Sequence, residues 1–432
     1  MIFTPRARKA GSTSGLALAI ALVAGFGVTS VALEAPAHAQ KKKKKEQAPK
    51  ANYSKGFIAA YKPVADQIAA EGTDFVALKG SAPAVVAAVE TEDDRNAAGS
   101  LLVTLGQKTN DMVIARQGLE LMLASGKIPA EQLGIYNFQA GQLAYQMKDY
   151  PAARQFLQAA IDAGYTDNDP EIFVAESYFA ESKVSEGLAY LNGIIDARRA
   201  AGLQVSETWI KRGLAMAYNN SVVSEAQKYA TMYVREYPGE VSWGDAVAIM
   251  LNTGGYQNPE ILDLLRLGRR TQSLRDGRTY LEYLDAADYR RLPAEVVAVI
   301  DEGIAAGKLP KDDPFVVDTR RQASERVAVD NRDMDSLLKR ARASTAKLTT
   351  IMAAGDAMLS MGKAAEAEEF YTKALGQAGV NTPLVLTRLG ISQLDQGRYA
   401  EAQTTFAKVE GARQAIANLW AVYAEQKAAD MM

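Results

Sequence analysis

A repeat near the carboxyl end of the chain is the sequence feature that most limits its fold. Gly355 and Ala367 lie twelve residues apart, Gly390 and Ala402 have the same spacing, and the second pair follows the first after 35 residues. Three more positions recur at that offset, so that Gly362, Tyr371 and Ala374 correspond to Gly397, Phe406 and Val409. The spacing predicts two helices per repeat, with a small residue on each helix where the two approach closely and a glycine that ends the first helix.

The two segments that carry this repeat, GDAMLSMGKAAEAEEFYTKAL and GISQLDQGRYAEAQTTFAKV, resemble tetratricopeptide repeats. The resemblance returns earlier in the chain, at Gly141 with Ala153 and, thirty-four residues later, at Ala175 with Gly187. It implies an all-α fold, an α-solenoid of stacked antiparallel helix pairs that form a TPR-like superhelix. The close-packed positions that it implies are Gly141, Ala153, Ala175, Gly187, Gly355, Ala367, Gly390 and Ala402.

The composition fits stacked helices and removes several kinds of chemistry. The 432 residues are 48% apolar and only 8% aromatic, which suits helices rather than sheets in a chain long enough for several domains or one long solenoid. Since the chain has no cysteine, disulfides and thiolate chemistry are excluded. Its single histidine is His38, and neither of the two glycine-rich phosphate-binding motifs is present. The sequence therefore predicts no cofactor and no metal site.

The amino end has the pattern of a cleaved export signal. A basic start that ends at Lys9 precedes an apolar stretch over residues 15–33, and Ala37-His38-Ala39 forms a small-residue cleavage site. An uncleaved membrane anchor is the alternative, because the apolar stretch approaches the length of a span. Against it, Gly, Ala, Ser and Thr dilute the stretch, and the lysines that follow would lie on the translocated side. We therefore expect a periplasmic or secreted protein, cleaved after Ala39, with no integral membrane span after processing.

Five consecutive lysines, Lys41 to Lys45, follow the predicted cleavage site. A run of like charges repels itself, which predicts a disordered linker. Two interpretations of the run remain open. One is weak contact with an anionic membrane or wall polymer, to which each lysine contributes on the order of 1 kcal/mol; the other is a solvated spacer. From residue 51 onward the chain holds 40 Lys and Arg against 49 Asp and Glu, so no nucleic acid is expected as a partner.

These observations predict six successive segments. They are a signal peptide (1–39), a disordered lysine-rich linker (40–52), an N-terminal TPR-like array (53–240), a degenerate helical-repeat region (241–345), a C-terminal TPR pair (346–416) and a capping helix or tail (417–432). In the array, the pattern predicts helices over 98–105 and 113–123, joined by a turn from Gly106 to Asn110. In the degenerate region it predicts helices over 243–251, 259–266, 279–290, 293–306 and 318–329.

The degenerate region and the residues after it are dense in arginine, at Arg266, Arg269, Arg270, Arg275, Arg278, Arg340 and Arg342. Guanidinium groups pair bidentately with carboxylate and phosphate, so one interpretation of the cluster is an anion site. However, residues 263–345 hold sixteen Arg and Lys together with fifteen Asp and Glu. This local balance favours the other interpretation, a solvated and salt-bridged helix surface.

An enzyme is the alternative from a different class of function. Carboxylate pairs can run glycoside chemistry without histidine, and three acidic stretches offer them: Glu92-Asp93-Asp94, Asp167 with Asp169, and Asp312-Asp313. All three lie in turn-like polar stretches, where Asp serves as a helix cap or turn former. The sequence therefore predicts a non-enzymatic scaffold or adaptor. A carboxylate-dependent enzyme that acts on cell-wall polymer and a purely structural spacer are the alternatives.

The resemblance also implies where a partner binds. In that family the first helices of successive pairs line a concave face that holds extended peptides or partner helices. The residues that it places there include Phe138, Gln142, Tyr145, Glu176, Phe179 and Tyr218, and in the C-terminal pair Met352, Asp356, Leu359, Thr387, Ile391 and Leu394. We expect a peptide or protein partner in the cell envelope at the first set, with Tyr145 and Phe179 as part-exposed anchors. Burial in the core is the alternative for each residue.

The export signal yields a direct test. We expect the mature chain to begin at Gln40 and to contain no histidine, because cleavage after Ala39 removes His38. Intact-mass measurement of the protein from the envelope fraction checks this. Retention of Met1, or membrane association that resists high salt and carbonate, would contradict it.

Overall fold

Helices form where the sequence shows a helical period bounded by capping residues. The computed structural model describes residues 51–431, and within that range the regular elements are α-helices and two short 3-10 turns. The first part of this range contains α1 (Lys55–Ile68), α2 (Phe75–Leu78), α3 (Ala82–Ala87), α4 (Glu92–Thr109) and α5 (Met112–Ala124). The repeats that follow contain α6 (Ala130–Gln146), α7 (Tyr150–Asp162), α8 (Pro170–Ala180), α9 (Val184–Ala200), α10 (Glu207–Asn219) and α11 (Val223–Glu236).

The second half of the described chain continues the same architecture. Its middle contains α12 (Glu240–Thr253), α13 (Asn258–Arg270), α14 (Gly277–Ala287), α15 (Pro293–Ala305) and α16 (Pro314–Arg342). The last helices are α17 (Leu348–Ser360), α18 (Ala364–Leu375), α19 (Thr382–Asp395), α20 (Tyr399–Phe406) and α21 (Gln414–Ala429). Successive helices pack in pairs, as α6 with α7, α10 with α11, and α17 with α18. The prediction of an all-α solenoid of helix pairs is confirmed.

The small residues of the repeats let large side chains of the second helix approach the first helix. A glycine on the first helix faces a large residue sixteen positions later in four pairs: Gly141 with Leu157, Gly213 with Tyr229, Gly355 with Tyr371, and Gly390 with Phe406. A Cβ at Gly390 would lie 2.5 Å from the Phe406 ring. Ala153, Ala367 and Ala402, on the second helices of three of these pairs, are fully buried, and so is Ala175 on α8. Gly362 and Gly397 end the first helices with φ of 72° and 76°, as the spacing predicted.

One repeat makes the same close contact in the opposite direction. Its first helix has Ala175 where the others have glycine, and the glycine is Gly187 on the second helix. A Cβ at Gly187 would lie 2.3 Å from the ring of Phe179 on the first helix. The repeat therefore keeps one small residue and one large ring at the helix contact, and only their places are exchanged.

Helices α4 and α5 approach each other backbone to backbone. A Cβ at Gly99 would lie 2.6 Å from the Gly118 carbonyl oxygen, and a Cβ at Gly106 would lie 2.5 Å from the Ala115 nitrogen. The prediction of a turn from Gly106 to Asn110 is wrong. Gly106 is a packing residue inside α4, and the helix ends only at Asn110, which takes a left-handed φ of 54°.

The predicted helices of the middle region are present, but the last is much longer than expected. The sequence pattern predicted a helix over 318–329, whereas α16 has 29 residues and begins directly after its N-cap Asp313. Few of its side chains are buried, so it has only a weak apolar stripe. Pairs four residues apart, Arg321 with Glu325 and Arg326 with Asp330, support the exposed turns instead.

The second half of the structure closes on itself and onto α11 at the end of the array. Helix α21 packs against α11, α13 and α19, and α13 also contacts α19. Residues from Asn52 onward form one compact unit. The predicted boundaries within it stay predictions, and the predicted signal peptide and Lys41 to Lys45 lie outside the described residues. Between residues 51 and 431, no helix combines the length and the apolar character that a membrane span requires.

The contact between α4 and α5 predicts opposite effects for two glycine substitutions. Gly99→Ala should destabilise the fold by roughly 1–3 kcal/mol, because its methyl group meets the backbone of Gly118 and Met122 as well as the Met122 side chain. Gly193→Ala is the control, because Gly193 lies inside α9 and a Cβ there would have no atom within 4 Å. The free energy of unfolding of this variant should rise by roughly 0.5–1 kcal/mol. Chemical denaturation measures both values. Equal stabilities would show that α4 and α5 are further apart than described.

Candidate functional site

Two of the six residues that the sequence placed on the binding face are buried. Phe138 is 3% exposed and makes an edge-on contact with Phe173 at a centroid distance of 5.7 Å. Phe179 is 8% exposed and lies against Gly187. Both rings fill the contacts between neighbouring helices, so the expectation that Phe179 is a part-exposed anchor is wrong. Whether any of the six residues contacts a partner stays a prediction.

Tyr145 and Glu176 do lie together, around a residue that the sequence analysis missed. Glu176 on α8 accepts a hydrogen bond of 2.6 Å from Nη2 of Arg212 on α10, and a second from Nε of the same guanidinium. The Arg212 guanidinium lies 5.6 Å from the centroid of the Phe179 ring. Tyr145 on α6 is half-buried, and burial together with the nearby charge of Glu176 raises its pKa. The available signal was an acid and a base 36 residues apart on successive first helices.

The remaining two residues are more accessible. Gln142 on α6 is half-buried, and Tyr218 near the end of α10 is 39% exposed. Gln142 shares one face of α6 with Ile135, Gln139 and Gln146, since these positions are spaced by three and four residues. Ion pairs that involve the second helices α5 and α7 also join neighbouring repeats, as Arg116 with Asp149 and Arg154 with Glu181. The α6 face itself is uncharged, and its Tyr145 lies near the paired Glu176 and Arg212.

A buried ionic cluster lies at the closure of the second half. Asp263 on α13 is completely buried and accepts hydrogen bonds from three arginines: Arg266 on its own helix at 3.0 Å, Arg388 on α19 at 3.2 Å, and Arg413 in the turn before α21 at 2.8 Å. The Nε1 of Trp420 on α21 donates to the Asp263 backbone carbonyl oxygen at 3.0 Å. Asp263 therefore holds together helices whose residues are up to 157 positions apart.

Two further carboxylates complete the cluster. Glu295 on α15 accepts from Arg266 at 2.6 and 2.8 Å and from the Tyr283 hydroxyl at 2.7 Å. Asp356 on α17 accepts from Arg388 at 2.7 Å and from the Tyr371 hydroxyl at 2.8 Å. Burial disfavours ionised carboxylates, but the arginines outweigh it, and they lower the pKa of Asp263 to about 2 and also lower the pKa of Glu295.

The cluster lies where the sequence predicted the binding face of the C-terminal pair, and that face is largely buried. Of the positions that the resemblance placed there, Asp356, Leu359, Thr387, Ile391 and Leu394 are buried, and Met352 is partly exposed. Helix α19, which carries three of them, packs against α13 and α21 of the same chain. The chain therefore fills this face with its own helices.

The arginine-rich stretch consists largely of ion pairs. Arg269 donates to Glu302 at 2.7 Å, Arg270 to Asp395 at 2.6 Å, and Arg342 to Glu369 at 2.8 Å. These contacts agree with the predicted salt-bridged surface. The prediction is wrong for Arg266, which is 2% exposed and belongs to the buried cluster.

The acidic stretches considered for catalysis act as helix caps in two cases. Asp94 forms a capping box with Thr91 at the start of α4, and Asp313 caps α16. Asp169 occupies the N-cap position of α8 without a side-chain cap bond. Over residues 51–431, no three His, Cys, Asp or Glu side chains are grouped so that they could hold a metal ion.

Comparison with known proteins adds little beyond the fold. No family model and no curated protein sequence matches the chain. The structure of Naa15/Naa10 bound to HypK-THB aligns with 12% identity and a TM-score of 0.38 over 86% of this chain and 68% of that one. The pentatricopeptide repeat protein PPR10 from maize aligns with 17% identity and a TM-score of 0.32 over 83% of this chain and 49% of that one. The chain thus spans about half the length of PPR10, and at these scores neither structure bears on its partners.

The buried cluster predicts a specific loss of stability in acid. The folded-state pKa of Asp263 is lowered from 3.8 to about 2, so its contribution is present above pH 3.8 and is lost as the pH falls toward 2. Asp263→Asn should remove this part of the pH dependence and cost roughly 3–5 kcal/mol at neutral pH, because three buried arginines lose their shared partner.

Denaturation at a series of pH values checks this expectation. Asp66→Asn is the control, since the Asp66 side chain is 63% exposed in a surface pair with Lys62 and should contribute less than about 1 kcal/mol. Equal stabilities of the two variants at neutral pH would show that the cluster does not hold the closure.

Proposed function

We propose that the protein is a non-enzymatic scaffold or adaptor that binds a peptide or protein partner. One observation carries the proposal: the described chain has two faces of first helices and fills only one of them itself. The C-terminal face is occupied by α13 and α21, whereas Gln142, Tyr145 and Tyr218 of the array remain partly exposed. A helical array with an accessible inner face is suited to hold an extended segment of another protein.

The site of action that we propose is the cell envelope. The support is the export pattern of the first 39 residues, with a basic start, an apolar stretch and Ala37-His38-Ala39. Lys41 to Lys45 would then lie at the start of the mature chain, where they could strengthen contact with an anionic surface.

Two exposed or half-exposed tyrosines offer a test of partner binding. The double substitution Tyr145→Ala, Tyr218→Ala should abolish capture of the partner from envelope extracts, because a few aromatic residues dominate most interfaces. The variant should remain folded, since neither tyrosine is fully buried. Phe179→Ala is unsuitable, because truncating a buried Phe typically costs roughly 3–5 kcal/mol of stability.

The matched control is Phe315→Ala, which removes an aromatic ring that is 57% exposed at the start of α16, outside residues 53–240. The control should capture the partner as the parent does. Unchanged capture by the tyrosine double variant would contradict the proposed face. If the purified chain cleaves wall polymer and captures no protein, the scaffold proposal is wrong and the alternative, a carboxylate-dependent enzyme, is correct.

A further inference from the structure

One face of α6 carries a row of exposed and half-buried side-chain amides. Gln132, Gln139, Gln142 and Gln146 are spaced by seven, three and four residues, so all four lie on one face of the helix. Ile135 lies on the same face and is 39% exposed. Buried residues flank the row, since Phe138 lies four positions before Gln142 and Leu143 four positions after Gln139. We call the four glutamines the amide row.

The amide row has no hydrogen-bond partner within residues 51–431. No side-chain bond joins Gln132, Gln142 or Gln146 to another described residue, and the Oε1 atom of Gln139 is buried and unpaired. Buried polar atoms are nearly always paired in folded proteins. The four amides therefore leave hydrogen-bonding capacity on this face that a ligand can use.

The amide row is also free of charge. No residue from Gln132 to Met147 is ionisable to a charged form at neutral pH. The nearest acid and base that act on Tyr145 of α6, Glu176 and Arg212, are paired with each other by two hydrogen bonds. Between Gln132 and Met147 a charged ligand would gain no opposite charge from α6, and the charges of Glu131 and Lys148 lie beyond the two ends of the row.

We propose that the amide row binds the main chain of an extended, uncharged peptide segment. This inference rests on the proposed scaffold function and names the class of its partner. A primary amide presents one acceptor oxygen and two donor hydrogens, which complement the N–H and C=O groups of a peptide bond. An extended segment leaves those groups free, whereas a helix has used them internally. The chemistry of the row therefore favours an extended segment over a partner helix.

The dimensions fix the length of the segment. The fourteen steps along the helix from Gln132 to Gln146 span about 21 Å at 1.5 Å per residue. An extended chain rises about 3.3 Å per residue, so about six residues cover the row. Ile135 offers an apolar contact within the row, and the Tyr145 ring lies at the end toward α8. Recognition is thus of the main chain, with few demands on the side chains of the segment.

The test uses a library of uncharged octapeptides with acetylated amino ends and amidated carboxyl ends. The full chain is tested for binding to each peptide. We expect binders whose affinity does not change between about 0.05 and about 0.5 M salt, since no ion pair contributes. Methylation of the peptide nitrogens in a binder should abolish binding, because it removes the main-chain donors.

Three variants assign the binding to the row. Gln139→Met, Gln142→Met keeps the side-chain length but removes both amides, and should weaken the best peptide at least about 10-fold. Gln158→Met on α7 is the matched control, because its amide bonds to Asp162 on the exposed side of the array. It should bind as the parent does. The Tyr145→Ala, Tyr218→Ala variant reports on the wider face.

The outcomes separate the two proposals. Absence of any uncharged binder, equal binding of N-methylated peptides, or full binding by the glutamine double variant would overturn main-chain recognition. If an envelope protein is still captured and is lost only in the tyrosine variant, the scaffold function stands while the amide row is not its contact. Binding that falls steeply with salt would likewise overturn this inference in favour of a charged partner.

Discussion

The closure of the second half depends on the carboxylate of Asp263. Removing several charges from water is costly, and it succeeds only where each charge finds oppositely charged partners with good hydrogen-bond geometry. Here three arginines meet on one carboxylate, and Glu295 and Asp356 pair with the outer sides of Arg266 and Arg388. One group stays incomplete, since the buried Nη2 of Arg413 has no partner. The cluster thus makes one particular packing arrangement of α13, α15, α17 and α19 much more favourable than other arrangements of these helices, which would leave buried charges unpaired.

The array is held together by a different kind of contact. Its helix pairs pack through glycines against rings or backbone, as at Gly213 with Tyr229 and Gly99 with Gly118. Such contacts are local in sequence, and each unit packs mainly on its neighbours; the exception is α11, which also packs against α21. An array of this kind needs no part of the chain to lie across its inner face, which is why Gln142 and Tyr145 stay accessible there. The accessible array is thus held mainly by contacts between residues close in sequence. The closed half depends on contacts between residues more than a hundred positions apart.

Sequence reasoning found the local part of this structure and missed the long-range part. The spacing of Gly355, Ala367, Gly390 and Ala402 predicts helix pairs because it reports contacts within one repeat. Nothing in a repeat shows that Asp263 meets Arg388 and Arg413, which lie 125 and 150 residues away. Without that contact, Arg266 has the pattern of a surface residue.

For the candidate face, the repeat register again predicted the local placement of residues but not how deeply each one is buried. The repeat register placed Gln142, Tyr145 and Glu176 on adjacent first helices, and the structure brings Tyr145 and Glu176 together. It could not tell Phe179 from an exposed ring, because the small residue that admits the ring is Gly187 on the second helix rather than a glycine on the first. A register alone gives the side of a helix but not the depth to which a side chain is covered.

The distance along the chain between Asp263 and Arg413 also governs the order in which the molecule can assemble. Helix pairs of the array join residues close in sequence, so they lose little loop entropy and can form as soon as each pair is available. The closed half has to bring α13 and α21 together across about 150 residues before its charges are shielded. Until that happens, Asp263 lacks Arg388 and Arg413, and α13 packs only against its neighbours α12 and α14. We therefore expect the array to fold early and the docking of α21 to complete the closed half.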